Sequence, residues 1–126
     1  MNDKPKISAA EWEVMKVLWS KRKATANEVV ESLSDKKDWN PKTVKTLINR
    51  LVTKKAIGFE KNGREYHYSP QITEADAKKS EFRNMLKRAF DGSLTPMMQF
   101  LIENENLSAE ELQKLRELTE KAKVKE

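Results

Sequence analysis

Apolar residues recur at helical spacing through three stretches of the first half of the chain. Trp12, Met15, Leu18 and Trp19 share one face of a helix running to about Ser20. It opens with a capping box, Ser8 with Glu11, and Ile7 and Trp12 are spaced as a hydrophobic staple. Residues 1–6, ahead of it, are polar and expected to be loose. Thr25 and Glu28 form a second capping box, which opens a short helix to about Ser34 with Val29, Val30 and Leu33 inward. In the third stretch Asn40 is placed to cap and Pro41 to occupy the first helical position, where its missing N–H costs nothing. Val44, Leu47, Ile48, Leu51 and Val52 then make one apolar stripe.

After residue 56 the period changes from 3.6 to 2. Ile57, Phe59, Tyr66 and Tyr68 alternate with polar positions around Asn62-Gly63, a strong short-range hairpin signal. A type I′ turn there pairs Lys61 with Arg64, Phe59 with Tyr66 and Ile57 with Tyr68. One sheet face is then apolar and free to pack on the helices, because an isolated hairpin is not stable in water. Three short helices followed at once by a hairpin with a cationic tip predict a winged helix-turn-helix.

Pro70 ends the hairpin, and three more helices are predicted. Thr73 caps a long one to Phe90, stopped by Asp91-Gly92, with Phe82, Met85, Leu86, Ala89 and Phe90 along one side. Thr95 with Pro96 starts the next, whose stripe is Met97, Met98, Leu101 and Ile102. Ser108 and Glu111 give a third capping box with a Leu107 staple, leading into Leu112, Leu115, Leu118 and Ala122. The fold expected is mainly α with a small β wing: a winged-helix domain over 1–71 and a helical domain over 72–126. Three helices in some 50 residues bury little surface alone, so the second domain is expected to dimerise. The residues expected in that interface are Phe82, Leu86, Phe90, Met98, Leu101, Leu112 and Leu115. The alternative is a monomeric bundle packed back on the wing.

Charge sharpens this picture. The 126 residues carry a formal net charge of +5. Residues 40–64 alone hold seven Lys and Arg against a single acid, Glu60, while residues 71–126 hold 10 against 11. The third helix therefore presents Lys42, Thr43, Lys45, Thr46, Asn49, Arg50 and Thr53 opposite its apolar stripe, with Lys54 just beyond and no carboxylate. Arginine can pair bidentately with guanine and asparagine with adenine, and threonine offers a hydroxyl or a methyl. That face, with Lys61 and Arg64 at the hairpin tip, is the candidate DNA surface. An ordinary amphipathic helix with a solvated basic face fits the same pattern when taken alone. The rival readings for the whole chain are a winged helix used only to dock proteins and an architectural DNA binder without sequence preference.

Reactive chemistry is missing. There is no cysteine, and His67 is the single histidine, inside a predicted strand, so no metal site, cofactor or thiol nucleophile is expected. No phosphate loop or nucleophile motif occurs, which argues against an enzyme. No apolar run approaches a membrane span and no signal peptide is recognisable, so a cytoplasmic location is expected.

Four segments, ISAAEWEVMKVLW at 7–19, ANEVVESL at 26–33, WNPKTVKTLINRLVTKKAI at 39–57 and GREYHYSP at 63–70, resemble the BlaI/MecI penicillinase-repressor family. LTPMMQFLIENENLS at 94–108 is similar more loosely. The resemblance implies a homodimeric transcriptional repressor on a palindromic double-stranded operator, with Lys42, Thr43, Thr46 and Arg50 at the recognition positions. It implies wing contacts to the DNA backbone from Lys61 and Arg64. Members of the family that answer β-lactams are inactivated by cleavage in the dimerisation domain, typically at an Asn–Phe bond, after a membrane sensor-protease signals. Here the matching bond is Phe100–Leu101, and the nearest similar pair is Gln99–Phe100. The copper-responsive branch uses a C-terminal cysteine cluster, which this chain lacks.

Overall fold

A computed structural model describes residues 5–122; most of the segment expected to be loose lies outside them. The chain forms α1 (Ala9–Lys21), β1 (Ala24–Thr25), α2 (Ala26–Ser34), α3 (Pro41–Thr53), β2 (Ile57–Asn62), β3 (Glu65–Pro70), α4 (Glu74–Phe90), α5 (Leu94–Asn104) and α6 (Ala109–Lys121). It divides into two compact units, Met1–Phe82 and Arg83–Glu126, with the break inside α4. Ile72 and Ala77 pack in the core of the first unit, which is why the opening turns of α4 go with it.

The helix starts are made by local chemistry. Ser8 and Glu11 close a reciprocal capping box on α1, and Thr25 and Glu28 do the same on α2. The core of the first unit is then the three stripes brought together. Val14, Met15 and Leu18 come from α1, Val29 and Leu33 from α2, and Val44, Leu47, Ile48 and Leu51 from α3, all at most 4% exposed. Val14 was not on the expected face of α1, whereas Trp12 and Trp19 sit only half-buried, edge to face at 5.3 Å. The Trp19 indole N–H donates to the Ile72 carbonyl at 2.9 Å and so holds the segment after the wing against α1.

At its C-terminal end α3 makes a Schellman turn. The Lys55 N–H donates to the Val52 carbonyl and the Ala56 N–H to the Leu51 carbonyl, each at 3.0 Å, with Lys55 at φ 66°. The turn delivers the chain directly into β2.

The sheet has three antiparallel strands in the order β1-β3-β2. β1, not expected from the sequence, is only two residues long, and Thr25 is both its last residue and the cap of α2. The hairpin register is two residues away from the expected one. Phe59 lies opposite Tyr68, Lys61 opposite Tyr66, and Asn62 opposite Glu65. The loop residues are thus Gly63 and Arg64, and Asn62 remains the last residue of β2. Gly63 takes φ 68°, whereas Asn62 and Arg64 do not take positive φ. A positive φ at the first loop position alone is the requirement of a type II′ turn rather than I′. A shift of two leaves every side chain on its expected face. Phe59, Tyr66 and Tyr68 do cluster, with Phe59 and Tyr66 edge to face at 5.0 Å. That face covers the core only at Ile57 and Tyr68; Phe59 and Tyr66 stay 51% and 43% exposed.

The second unit is sparsely packed. Leu86 is its one buried apolar residue among those described, and α5 and α6 bury none. Phe90 and Phe100 meet edge to face at 5.8 Å. Phe90, Met98, Leu101, Leu112 and Leu115 are half-buried, and Phe82, at the end of the first unit, is 36% exposed. α5 begins at Leu94 rather than after Thr95, with Ser93 as its cap residue, so Pro96 falls third in the helix. That is tolerated because the first-turn N–H groups have no partner within the helix in any case. On α6 the Ser108 hydroxyl accepts from the Glu111 N–H at 3.1 Å, but only this half of the expected box forms.

Candidate nucleic-acid interface

α3 is held so that its polar face stands clear. The Asn40 side-chain oxygen accepts from the Thr43 N–H at 2.9 Å and from the Thr43 hydroxyl at 3.2 Å. Below, Val44, Leu47, Ile48 and Leu51 of the apolar stripe are buried and Val52 is half-buried; above, Lys42, Thr43, Lys45, Thr46, Asn49, Arg50 and Thr53 are all exposed. The Thr46 hydroxyl donates to the Lys42 carbonyl at 2.9 Å, and Thr53 to the Asn49 carbonyl at 3.0 Å. Each bond settles the hydroxyl hydrogen on the helix and leaves the threonine methyl and an oxygen lone pair for a ligand. Thr46, Asn49, Arg50, Thr53 and Lys54 together line one shallow surface depression.

Among the described residues no carboxylate pairs with Lys42, Lys45, Arg50, Lys61 or Arg64. Glu60, the one acid in the basic stretch, is taken up by Lys23 at 3.4 Å. The positive field of this face is therefore uncancelled by internal pairing.

The wing, α3 and the start of α2 line a common groove. Lys45 and Arg64 share a groove of about 170 Å³ with Thr25, Ala26 and Asn27 at the start of α2 and with Glu65, Tyr66 and Tyr68 of β3. The structure thus brings Lys45 and Arg64 to one place, while Lys61 sits on β2 outside that groove. Burial first, and the neighbouring Tyr66 second, push the Tyr68 hydroxyl above its usual range, so it stays a neutral donor. Asn27 and the two tyrosines did not figure among the expected site residues. The capping box at Thr25 marked where α2 begins, but nothing local in the sequence tells that this start faces the wing.

Lys54 differs from the other cations. Its ammonium sits on the Glu11 carboxylate at 2.5 Å and on the Lys6 carbonyl at 2.8 Å. Glu11 is 1% exposed and also accepts from the Ser8 N–H at 2.8 Å. Burial pushes the Glu11 carboxyl up, but the Lys54 hydrogen bond, the Ser8 N–H and the Lys54 charge outweigh it and hold it below the usual carboxylate range. In the second unit, Gln99 bonds Glu103 at 3.2 Å, Phe100 is 57% exposed, and Leu101 is half-buried, all within α5. No cluster of potential metal ligands occurs among the described residues.

Comparison with known proteins agrees with this geometry. A family model described as penicillinase repressor matches residues 7–121. The penicillinase repressor of Bacillus licheniformis is 40% identical over 119 residues, covering 94% of this chain and 93% of that protein. The methicillin resistance regulatory protein MecI of Staphylococcus aureus (strain N315) is 36% identical over 115 residues, covering 91% and 94%. The solution structure of the monomeric form of B. licheniformis BlaI in complex with the blaP half-operator shares 45% identity. It covers 60% of this chain and 93% of that one, with a TM-score of 0.53.

Proposed function

This chain belongs to the penicillinase-repressor family, and from that premise we propose that it represses transcription as a homodimer on a palindromic operator. It is a BlaI/MecI-type transcriptional repressor acting on operator DNA, not an enzyme. The observation that carries the reading at the level of residues is the outer face of α3. Lys42, Thr43, Lys45, Thr46, Asn49 and Arg50 stand exposed on a helix whose other face buries Val44, Leu47, Ile48 and Leu51 to 4% exposure or less. Lys42, Lys45, Lys61 and Arg64 hold the phosphates and supply the salt-dependent part of the affinity. Arg50, Asn49, Thr43 and Thr46 read base edges. Residues 72–126 dimerise, and the twofold axis places two α3 helices on two half-sites.

The protein works in the cytoplasm; no helix among the described residues is long and apolar enough to cross a membrane. Its release from DNA is by cleavage within residues 97–102 after a signal from a membrane sensor-protease. The exposure of Phe100 on α5 supports that placement.

Fluorescence anisotropy on a duplex from the protein's own promoter and on a scrambled duplex, at two salt concentrations, tests the reading. A preference of about 10³ or more for the first is expected of a specific regulator. Arg50→Ala should lose about 1–3 kcal/mol on the operator, roughly 5- to 150-fold, with less loss on the scrambled duplex. Equal loss on both makes Arg50 a phosphate contact. Equal, salt-sensitive binding of wild type to both duplexes means an architectural binder, and no binding at low salt leaves a protein-docking module.

A further inference from the structure

Among the described residues Glu11 is the one buried charged side chain. It occupies the third position of α1, within the capping box, and its charge is met by Lys54, the residue that caps the C-terminal end of α3. Lys54 also donates to the Lys6 carbonyl at 2.8 Å, so one ammonium ties the segment before α1, the first turn of α1 and the last turn of α3. Its side chain is 35% exposed, against 51% for Lys23 and 63% for Lys16, which make only surface pairs. To reach a phosphate, Lys54 would have to leave a buried carboxylate without a counter-charge. That costs far more than an exposed ion pair returns.

We propose that Glu11 and Lys54 are positioning residues for operator recognition. Their ion pair fixes the C-terminal end of α3 against α1 and so sets how Thr46, Asn49 and Arg50 meet the base edges. Lys54 spends its charge inside the protein and makes no phosphate contact, although its place in the basic stretch predicts one. Asn40 anchors the other end of the same helix. The inference rests on the repressor reading above.

The test uses the full chain and the two duplexes already named, titrated across a salt series. The variants are Glu11→Gln, Lys54→Met, Lys54→Arg and the double variant Glu11→Gln/Lys54→Met. The double variant removes both charges together, so no uncompensated buried charge threatens the fold. In Lys54→Met the salt slope is expected to match wild type, whereas Lys45→Met should flatten it by about 0.9, one phosphate. The preference for operator over scrambled duplex is expected to fall about tenfold, the value of one good base contact, in Glu11→Gln and in Lys54→Met alike. Lys54→Arg should keep most of it. The double variant should regain stability without regaining preference.

Recovery of both in the double variant would reduce the pair to a purely structural bond. A slope lowered by one in Lys54→Met, with tighter binding of both duplexes by Glu11→Gln, would assign Lys54 to a phosphate. A wild-type chain with no preference sinks the repressor reading before any variant is compared. A preference retained in every variant sinks only this one.

Discussion

Replacing Asn40 by alanine removes the cap of α3 and little else. The Asn40 oxygen accepts two bonds from Thr43, at 2.9 and 3.2 Å, and Pro41 has no N–H to satisfy. One side chain therefore closes the first turn, which also carries Lys42 and Thr43. Loss of an asparagine cap costs about 1 kcal/mol, within a range of about 0.5–2. The second bond adds little, because both residues are exposed and water replaces it. The expected loss of folding stability is thus about 1 kcal/mol, read as a lower urea midpoint at constant m. The same free energy bounds the effect on DNA. A frayed turn reduces affinity by the fraction of molecules in which it is formed, so the loss on operator is at most about fivefold. Asn40→Ser restores an acceptor of the right reach and should restore both stability and affinity. Should Asn40→Ser keep full stability yet bind operator as weakly as Asn40→Ala, the amide itself reads DNA and the capping account is wrong. A loss well beyond tenfold at unchanged stability would say the same.

Three further outcomes follow from other parts of the molecule. The Glu11 carboxyl titrates below its unfolded value, so its contribution is fully present above the ordinary carboxylate range and is lost as pH falls through the folded value. The stability gap between wild type and Glu11→Gln should therefore close on acidification below about pH 4, and a gap that persists there would show that the charge is not its source. Gly63→Ala places a side chain at φ 68° where nothing lies within 4 Å, so its cost is conformational alone, about 1 kcal/mol, and faster amide exchange across β2 and β3 should report it. Unchanged exchange would mean that the turn relaxes freely. Leu115→Glu removes an apolar contact worth about 1.5–3 kcal/mol if it is buried between two copies, which should weaken the dimer at least tenfold in sedimentation, and an unaltered dimer would take α6 out of the interface.

What could be read in the sequence is what local chemistry decides. Every link that defines α3 lies within four residues: the Asn40 cap, Pro41, and the 3.6 period of Val44 to Leu51. The exposed face followed from the same period. The wing was legible as a hairpin, but not its register. Gly63 can be the second loop residue of a type I′ turn or the first of a type II′ turn, and the local sequence does not choose between the two registers. β1 itself, two residues long, has no period to detect. The bond between Glu11 and Lys54 spans 43 residues, so Glu11 was visible only as a capping residue and Lys54 only as one more cation. The groove that joins Lys45, Arg64 and the start of α2 is likewise a product of packing.

The proposed homodimer would join the apolar residues of the second unit and the DNA face in one mechanism. Leu94, Phe100, Ile102 and Leu118 each remain more than half exposed, and neither α5 nor α6 buries a residue. Helices of 11 and 13 residues draw little stability from propensity alone and need a packed face. The described residues of a single chain do not supply one, whereas a second copy, as proposed above, would cover these stripes. In the homodimer proposed above, that contact would link two α3 helices, so that each half-site occupied raises the effective concentration at the other. Operator affinity and the order of the second unit would then be coupled through mass action. On that proposal a perturbation within α5 would weaken DNA binding without touching a DNA contact, and the cleavage near Phe100 proposed above would act in this way on a surface carried by the other unit.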